Sequence, residues 1–309
     1  MMSEFQLNTP VALIRFNRPD TTERVFAEIA KAKPPVLLVV ADGPRENRQG
    51  EAQRCEQARA VVARVDWPCQ VLTNYADVNM GCKLRVASGI DWIFEMVENA
   101  IILEDDCLPE PTFFRFCEEM LIRYRDDERI SMVSGGNLQF GQRRGLGSYY
   151  FSRYTHIWGW ASWRRAWRHY DRDISLWPKL RAQGWIESTF KKNKGERQYW
   201  SSSFDAVHSG VLDTWDCSWT FACMLRSMLQ ISPNVNLISN IGFGPGATHT
   251  QTIGIHANMA TEPMEFPLVH PEVVVPSKEG DDFISNDQIA PSFIKRQWRR
   301  IKRYLLWAK

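Results

Sequence analysis

The sequence predicts an α/β protein built on a mostly parallel sheet flanked by helices, and three observations predict it. Strand-like apolar runs recur at residues 10–16, 35–41, 70–74, 100–103 and 130–134. Stretches with helical periodicity separate them, as crossover connections between parallel strands require. Several runs are apolar without polar alternation, the pattern of strands covered on both faces.

Residues 10–16 form the first expected strand, and Asn17-Arg18-Pro19-Asp20 its exit turn. Asp20, with Glu23 three residues on, is expected to cap a helix whose apolar face is Val25, Phe26, Ile29 and Ala30. The second strand, 35–41, ends at Asp42-Gly43, and a helix over 51–65 follows with Cys55, Ala58, Val62 and Val65 on one face. After the third strand, 70–74, Asn79-Met80-Gly81 leads into a helix carrying Leu84, Ala87, Ile90, Phe94 and Val97. The fourth strand runs straight into Glu104, Asp105 and Asp106. A helix over 112–125, showing Phe113, Phe116, Met120 and Tyr124, and a strand at 130–134 complete this half. Parallel sheets bind ligands at the carboxyl ends of their strands, and Arg18, Asp42 and the three acids all fall there.

Three adjacent carboxylates repel one another, so at a strand end they call for a compensating cation or hydrogen-bond donors. A hard divalent ion, Mn²⁺ or Mg²⁺, carrying substrate phosphates suits oxygen ligands of this kind. A solvated acidic turn is the alternative. No GxGxxG or GxxxxGK[ST] loop follows any of the strands, so phosphates are expected on metal and side chains.

The character changes after Gly135. Nine of the thirteen tryptophans lie between 158 and 219; most are expected in the core, with one or two lining a cleft. Trp160, Trp163 and Trp167 are spaced like one helix face. Residues 211–229 read as a polar entry and an apolar helix, capped by Thr214, with Asp216 in its first turn and Asp213 just before it. Residues 231–243 are extended, a glycine-rich loop holds His249, and the proline-rich stretch 261–282 is expected to wrap the surface.

At 309 residues the chain could be one large α/β domain or a domain with a subdomain. The net charge of +2 gives no overall attraction to nucleic acid, and none is expected as a partner. Seven cations and no acid lie between 295 and 309, which leaves about −5 on the rest. Seven cysteines without a CxxC pair fit a reducing compartment. With neither a leader nor a membrane-spanning stretch, the expected location is cytoplasmic. In 293–309 the apolar Ile294, Trp298, Ile301, Leu305 and Ala308 recur at helical spacing among cations. This basic amphipathic helix would sit on an anionic membrane surface, peripheral on the inner face, or dock on the protein's own acidic body.

Six segments in this order resemble GT-A fold glycosyltransferases, of the family 2 class and the N-acetylglucosaminyltransferase I group. They are PVALIRFNRPDT, VVADGP, IILEDDCLPEPTFFRF with its DXD-like acids, IWGWASWRRAW, TWDCSW and PNVNLISNIGFGPGATHT, together covering about residues 9–250. The resemblance implies a GT-A-like domain over 1–260, with a Rossmann-like nucleotide-binding half (9–134) and an acceptor half (135–260). An irregular segment (261–292) and the tail helix (293–309) would follow. It implies that Arg18 and Asp42 hold the base and ribose, that Asp106 binds the metal, and that Glu104 and Asp105 contact ribose or sugar. Trp160 and Trp215 would face the acceptor, a glycan or lipid-linked molecule, and Asp216 would deprotonate its hydroxyl. The second acid of the Trp-Asp segment is Cys217 here, which makes Asp213 a competitor for the base. His249 would touch metal or phosphate, or serve the loop's structure. The implied activity is metal-dependent, inverting transfer from a UDP-sugar, of hexosyl or N-acetylhexosaminyl type. A nucleotidyltransferase and a membrane-binding or membrane-lytic non-enzyme are the rivals.

Overall fold

The structure is a computed structural model and describes residues 5–191, 193–243 and 256–290. His249 and residues 293–309 therefore lie outside the described residues. In chain order the strands are β1 (Val11–Arg15), β2 (Val36–Ala41), β3 (Gln70–Tyr75), β4 (Asn99–Glu104), β5 (Cys107–Pro109), β6 (Ile130–Ser134), β7 (Tyr149–Ser152), β8 (Trp160–Trp163), β9 (Leu229–Pro233) and β10 (Ile238–Asn240). The helices are α1 (Pro19–Ala32), α2 (Glu51–Val61), α3 (Cys82–Met96), α4 (Thr112–Arg123), α5 (Arg164–Trp167), α6 (Trp177–Ala182), α7 (Trp185–Thr189), α8 (Lys194–His208), α9 (Asp216–Leu225) and α10 (Lys278–Ile284).

Eight strands form one sheet in the order β3-β2-β1-β4-β8-β6-β9-β7, and β5 and β10 form a separate antiparallel pair. The run from β3 to β4 is parallel, β6 and β9 are parallel to each other, and β8 and β7 run against their neighbours. The predicted mostly parallel sheet flanked by helices is thus present. Because β8 lies between β4 and β6, residues 9–134 and 135–260 share one sheet and interleave. Among the described residues no helix is long and apolar enough to cross a membrane.

Strand periodicity explains the layers. Val11 and Leu13 pack with Val25, Phe26 and Ile29 of α1, whereas Ala12 and Ile14 pack on the other face with Ile90 and Phe94 of α3. A parallel sheet covered this way buries every residue of β1. A third cluster, around Trp177, Phe204 and Phe221, joins α6, α8 and α9.

Local expectations fail at four places. Helix α1 starts two residues early, because Pro19 suits the first helical position, where its missing N–H is not needed. Asp20 sits inside the first turn without capping, and Glu23 pairs with Arg64. Trp160, Trp163 and Trp167 do not share a helix face. The first two lie in β8, where a spacing of three sends them to opposite sides of the sheet, and only Trp167 is helical. Finally, 261–292 is not merely an irregular wrap. It buries Met264 and Leu268, and it contains α10, whose buried Asp281 accepts from the Ser152 hydroxyl at 2.7 Å and pairs with Arg153 at 2.9 Å.

Candidate active site

A cavity of about 480 Å³ opens at the carboxyl ends of β1, β2 and β4 and is closed by residues from the second half of the chain. Of the expected site residues, Arg18, Asp42, Glu104, Asp105, Asp106, Asp213, Trp215 and Asp216 all line it. Its charged lining is four arginines (15, 18, 45 and 85) against these six carboxylates, an excess of negative charge suited to a cation.

The acid cluster is organised by the register of β1 on β4, which sets Ile14 beside Glu104. The chain leaving β1 then passes over the acids: the Phe16 N–H donates to Asp105 Oδ2 at 3.1 Å, and Arg18 bonds Asp105 and pairs with Asp106 at 3.0 Å. Burial opposes the charge on Arg18, but Asp105 and Asp106 outweigh it and hold the guanidinium above its usual range. Arg18 thus offsets part of the negative charge of the acid motif. Asp105 is 2% exposed and fully engaged. Burial, then repulsion from Asp106 and Asp105, pushes Glu104 above the ordinary carboxylate range.

Among the described residues no group of three His, Cys, Asp or Glu side chains is gathered as a ready metal cage. Magnesium and manganese do not need one, since one or two carboxylates plus substrate phosphates complete the shell. Asp106, which lines the cavity and shares the single guanidinium of Arg18 with Asp105, fits such an ion.

Asp42 is 6% exposed, and its carboxylate is saturated by the turn after β3. It accepts from the backbone N–H groups of Gly43, Met80 and Gly81 at 2.8, 2.9 and 3.2 Å, and from Asn79 Nδ2 at 2.9 Å. Burial raises its pKa, and these backbone donors oppose the rise. On the outer wall, Glu51 at the start of α2 accepts from Asn17 Nδ2 at 2.8 Å and pairs with Arg45 at 2.6 Å, tying the β1 exit to the β2 exit.

The second half supplies the remaining walls. Asp216 opens α9 with Trp215 as the N-cap residue, and the Thr214 hydroxyl donates to its carboxylate instead of capping the helix. Asp216 is half-buried, whereas Asp213 is exposed, its Oδ2 close over Gly81. Trp215 reaches the cavity and stacks at 5.8 Å and 23° on Trp160. Trp160 itself is 1% exposed among Trp167 and Trp219 and does not line the cavity, so it backs the wall instead of facing an acceptor. Trp158 and Phe243, which do line it, meet edge to face at 5.9 Å.

The β5–β10 pairing completes the site. Asn240 opposite Cys107 brings the following residues onto the acids, and the Ile241 N–H donates to the Asp106 carbonyl at 2.8 Å. A Cβ on Gly242 would stand 2.1 Å from Asp106 Oδ2 and 2.7 Å from Arg18 Nη1, so a side chain here would have to displace both. Gly242→Ala is therefore expected to push Arg18 and Asp106 apart, costing about 1–3 kcal/mol of stability and weakening metal-dependent nucleotide binding. Thermal unfolding and calorimetric titration with UDP and manganese measure both, and wild-type values would show that the loop yields freely.

Arg15, Arg45, Asn79, Arg85, Trp158 and Asn240 also line the cavity, and none was singled out from the sequence. For Arg15 a signal was present: a lone cation closing an otherwise apolar strand, VALIR.

No protein-family profile matches the chain, and no curated protein matches its sequence. Among solved structures it is similar to S. aureus TarS 1–349 at TM-score 0.34 and 10% identity, over 50% of this chain and 47% of that one, so the match spans about half of that solved chain. It is similar to a UDP-glucose pyrophosphorylase solved with UDP-glucose at TM-score 0.33 and 8% identity, covering 73% of this chain and 90% of that one. Mouse xyloside xylosyltransferase 1 matches at TM-score 0.33 and 12% identity, over 70% of this chain and 81% of that one.

Proposed function

We propose that the chain is a metal-dependent glycosyltransferase of GT-A type, moving a sugar from a UDP-sugar or related nucleotide diphosphate sugar to an acceptor hydroxyl with inversion. One observation carries the reading: a single cavity at the carboxyl ends of a parallel sheet holds both the acid motif ending at Asp106 and the pair Asp213 and Asp216. Phosphate binding needs the first group, and deprotonation of an acceptor needs the second. Manganese or magnesium, when bound at Asp106, would supply charge neutralisation on the departing diphosphate. Arg18 holds the acid motif in place, Asp216 takes the acceptor proton, and the aromatic faces of Trp215 and Trp158 bind sugar C–H surface. Attack of the deprotonated hydroxyl oxygen on the anomeric carbon, from the face opposite the bond to the departing diphosphate, gives inversion.

The test is nucleotide release. Incubated with manganese and a panel of nucleotide sugars, the protein should release nucleoside diphosphate from at least one, and chelation should stop it. Release of pyrophosphate from a nucleoside triphosphate and a sugar phosphate, with no release from any nucleotide sugar, would instead make it a nucleotidyltransferase. For the basic segment 293–309 we keep the anionic membrane surface as the proposed partner, where a lipid-linked acceptor could be presented. Vesicle sedimentation of the full chain and of one truncated after Ser292 should show loss of pelleting on anionic vesicles only for the truncated chain. Equal pelleting would reject that attachment.

A further inference from the structure

Arg15 is the last residue of β1, is 3% exposed, and belongs to the cavity wall. Its Nη2 donates to the Tyr75 hydroxyl at 3.0 Å, while its Nε and Nη1 are buried without a hydrogen-bond partner among the described residues. The carboxylate whose charge acts on it, Asp105, is already taken by Arg18 and the Phe16 N–H. Asp42, the acid at the end of the neighbouring strand, has spent its acceptor positions on residues 43 and 79–81. Arg59 adds a second cation close by, since both guanidiniums lie over the Tyr75 ring, at 5.3 and 4.9 Å.

A guanidinium does not lose its proton in a protein, and burying one with donors unmet is costly. Packing alone gives no reason to place Arg15 here. Arg15 forms part of the cavity wall, so a ligand in the cavity would meet these donors.

We propose that Arg15 recognises the nucleobase of the donor, donating from Nε and Nη1 to a base carbonyl oxygen, while Asp42 is a positioning residue that builds the floor of the base site without reading the base. The proposal rests on the nucleotide-sugar reading above. With the diphosphate at Asp106, beyond β4, a nucleoside lies across the ends of β1 and β2, where Arg15, Asn79 and Arg85 line the cavity. Uracil, cytosine and guanine each present a carbonyl oxygen, and adenine presents none. A site of buried, unpaired donors discriminates strongly against a ligand lacking the matching acceptor.

Calorimetric titration of the full chain with UDP, CDP, GDP and ADP, each with manganese, and with manganese pyrophosphate alone, tests this. The wild type should bind at least one of the first three about 10-fold or more tighter than ADP. Arg15→Met and Arg15→Lys should each weaken that nucleotide by about 10- to 100-fold, narrow its margin over ADP and leave pyrophosphate binding unchanged. Thermal unfolding of ligand-free Arg15→Met should occur at or above the wild-type temperature, because a buried unpaired charge has been removed; Arg15→Lys keeps the charge should Met disturb the fold. Unchanged affinity and base preference in folded Arg15 variants would overturn the assignment and leave the donor reading intact. A parallel loss of pyrophosphate binding would move Arg15 to the phosphates and overturn it too. A wild type that binds none of the four nucleotides removes the donor reading and this proposal with it.

Discussion

Asp216→Asn is expected to bind donor as the wild type does and to lose transfer by about two to four orders of magnitude, the usual contribution of a positioned general base. A base acts on a proton that moves only in the transition state, so its loss falls on kcat and not on donor affinity. The substitution is conservative here: the asparagine carbonyl still accepts from the Thr214 hydroxyl, which keeps the start of α9 in place. Asp216 is favoured over Asp213 because it is half-buried and oriented by Thr214, whereas Asp213 is exposed at the rim. A sheltered carboxylate keeps its geometry and meets the hydroxyl away from competing water. Steady-state kinetics on both variants decides the matter. Wild-type turnover in Asp216→Asn, or a deeper loss in Asp213→Asn, would transfer the role.

The second large effect is expected at Asp106. Asp106→Asn should lose manganese-dependent UDP affinity by about 10-fold or more, since a hard cation binds a neutral amide oxygen far less well than a carboxylate. The fold should survive. Arg18 keeps its bond to Asp105 when the 3.0 Å pair with Asp106 is weakened. Removing one of three crowded negative charges offsets that loss. Titration with UDP in the presence and absence of manganese is the measurement, with an unfolding curve to confirm the fold. Undiminished metal-dependent affinity in the folded variant would sink the assignment of Asp106.

Much of the molecule was legible before folding because it is local. Residues 35–41 and 100–103 carry no polar alternation, and a strand of that kind is stable only between two layers; β2 and β4 lie there. The acids follow β4 directly in sequence, so their place at a strand end needed no tertiary knowledge. Where spacing admits two periods, sequence alone is ambiguous: Trp160 and Trp163 suit one helix face as well as two faces of a strand, and pairing with β4 and β6 chose the strand.

Other facts exist only in the assembled fold, because each is a contact between segments far apart in the chain. The β1–β4 register turns Arg18 onto Asp105 and Asp106, the turn after β3 joins Gly43 in filling the acceptor positions of Asp42, and the β5–β10 pair lays Gly242 against the acids. The unmet need of Arg15 is the extreme case. That a side chain is charged can be read from its letter, but that two of its nitrogens are buried without a hydrogen-bond partner among the described residues depends on the neighbours the fold places around it, and so only the tertiary structure decides it.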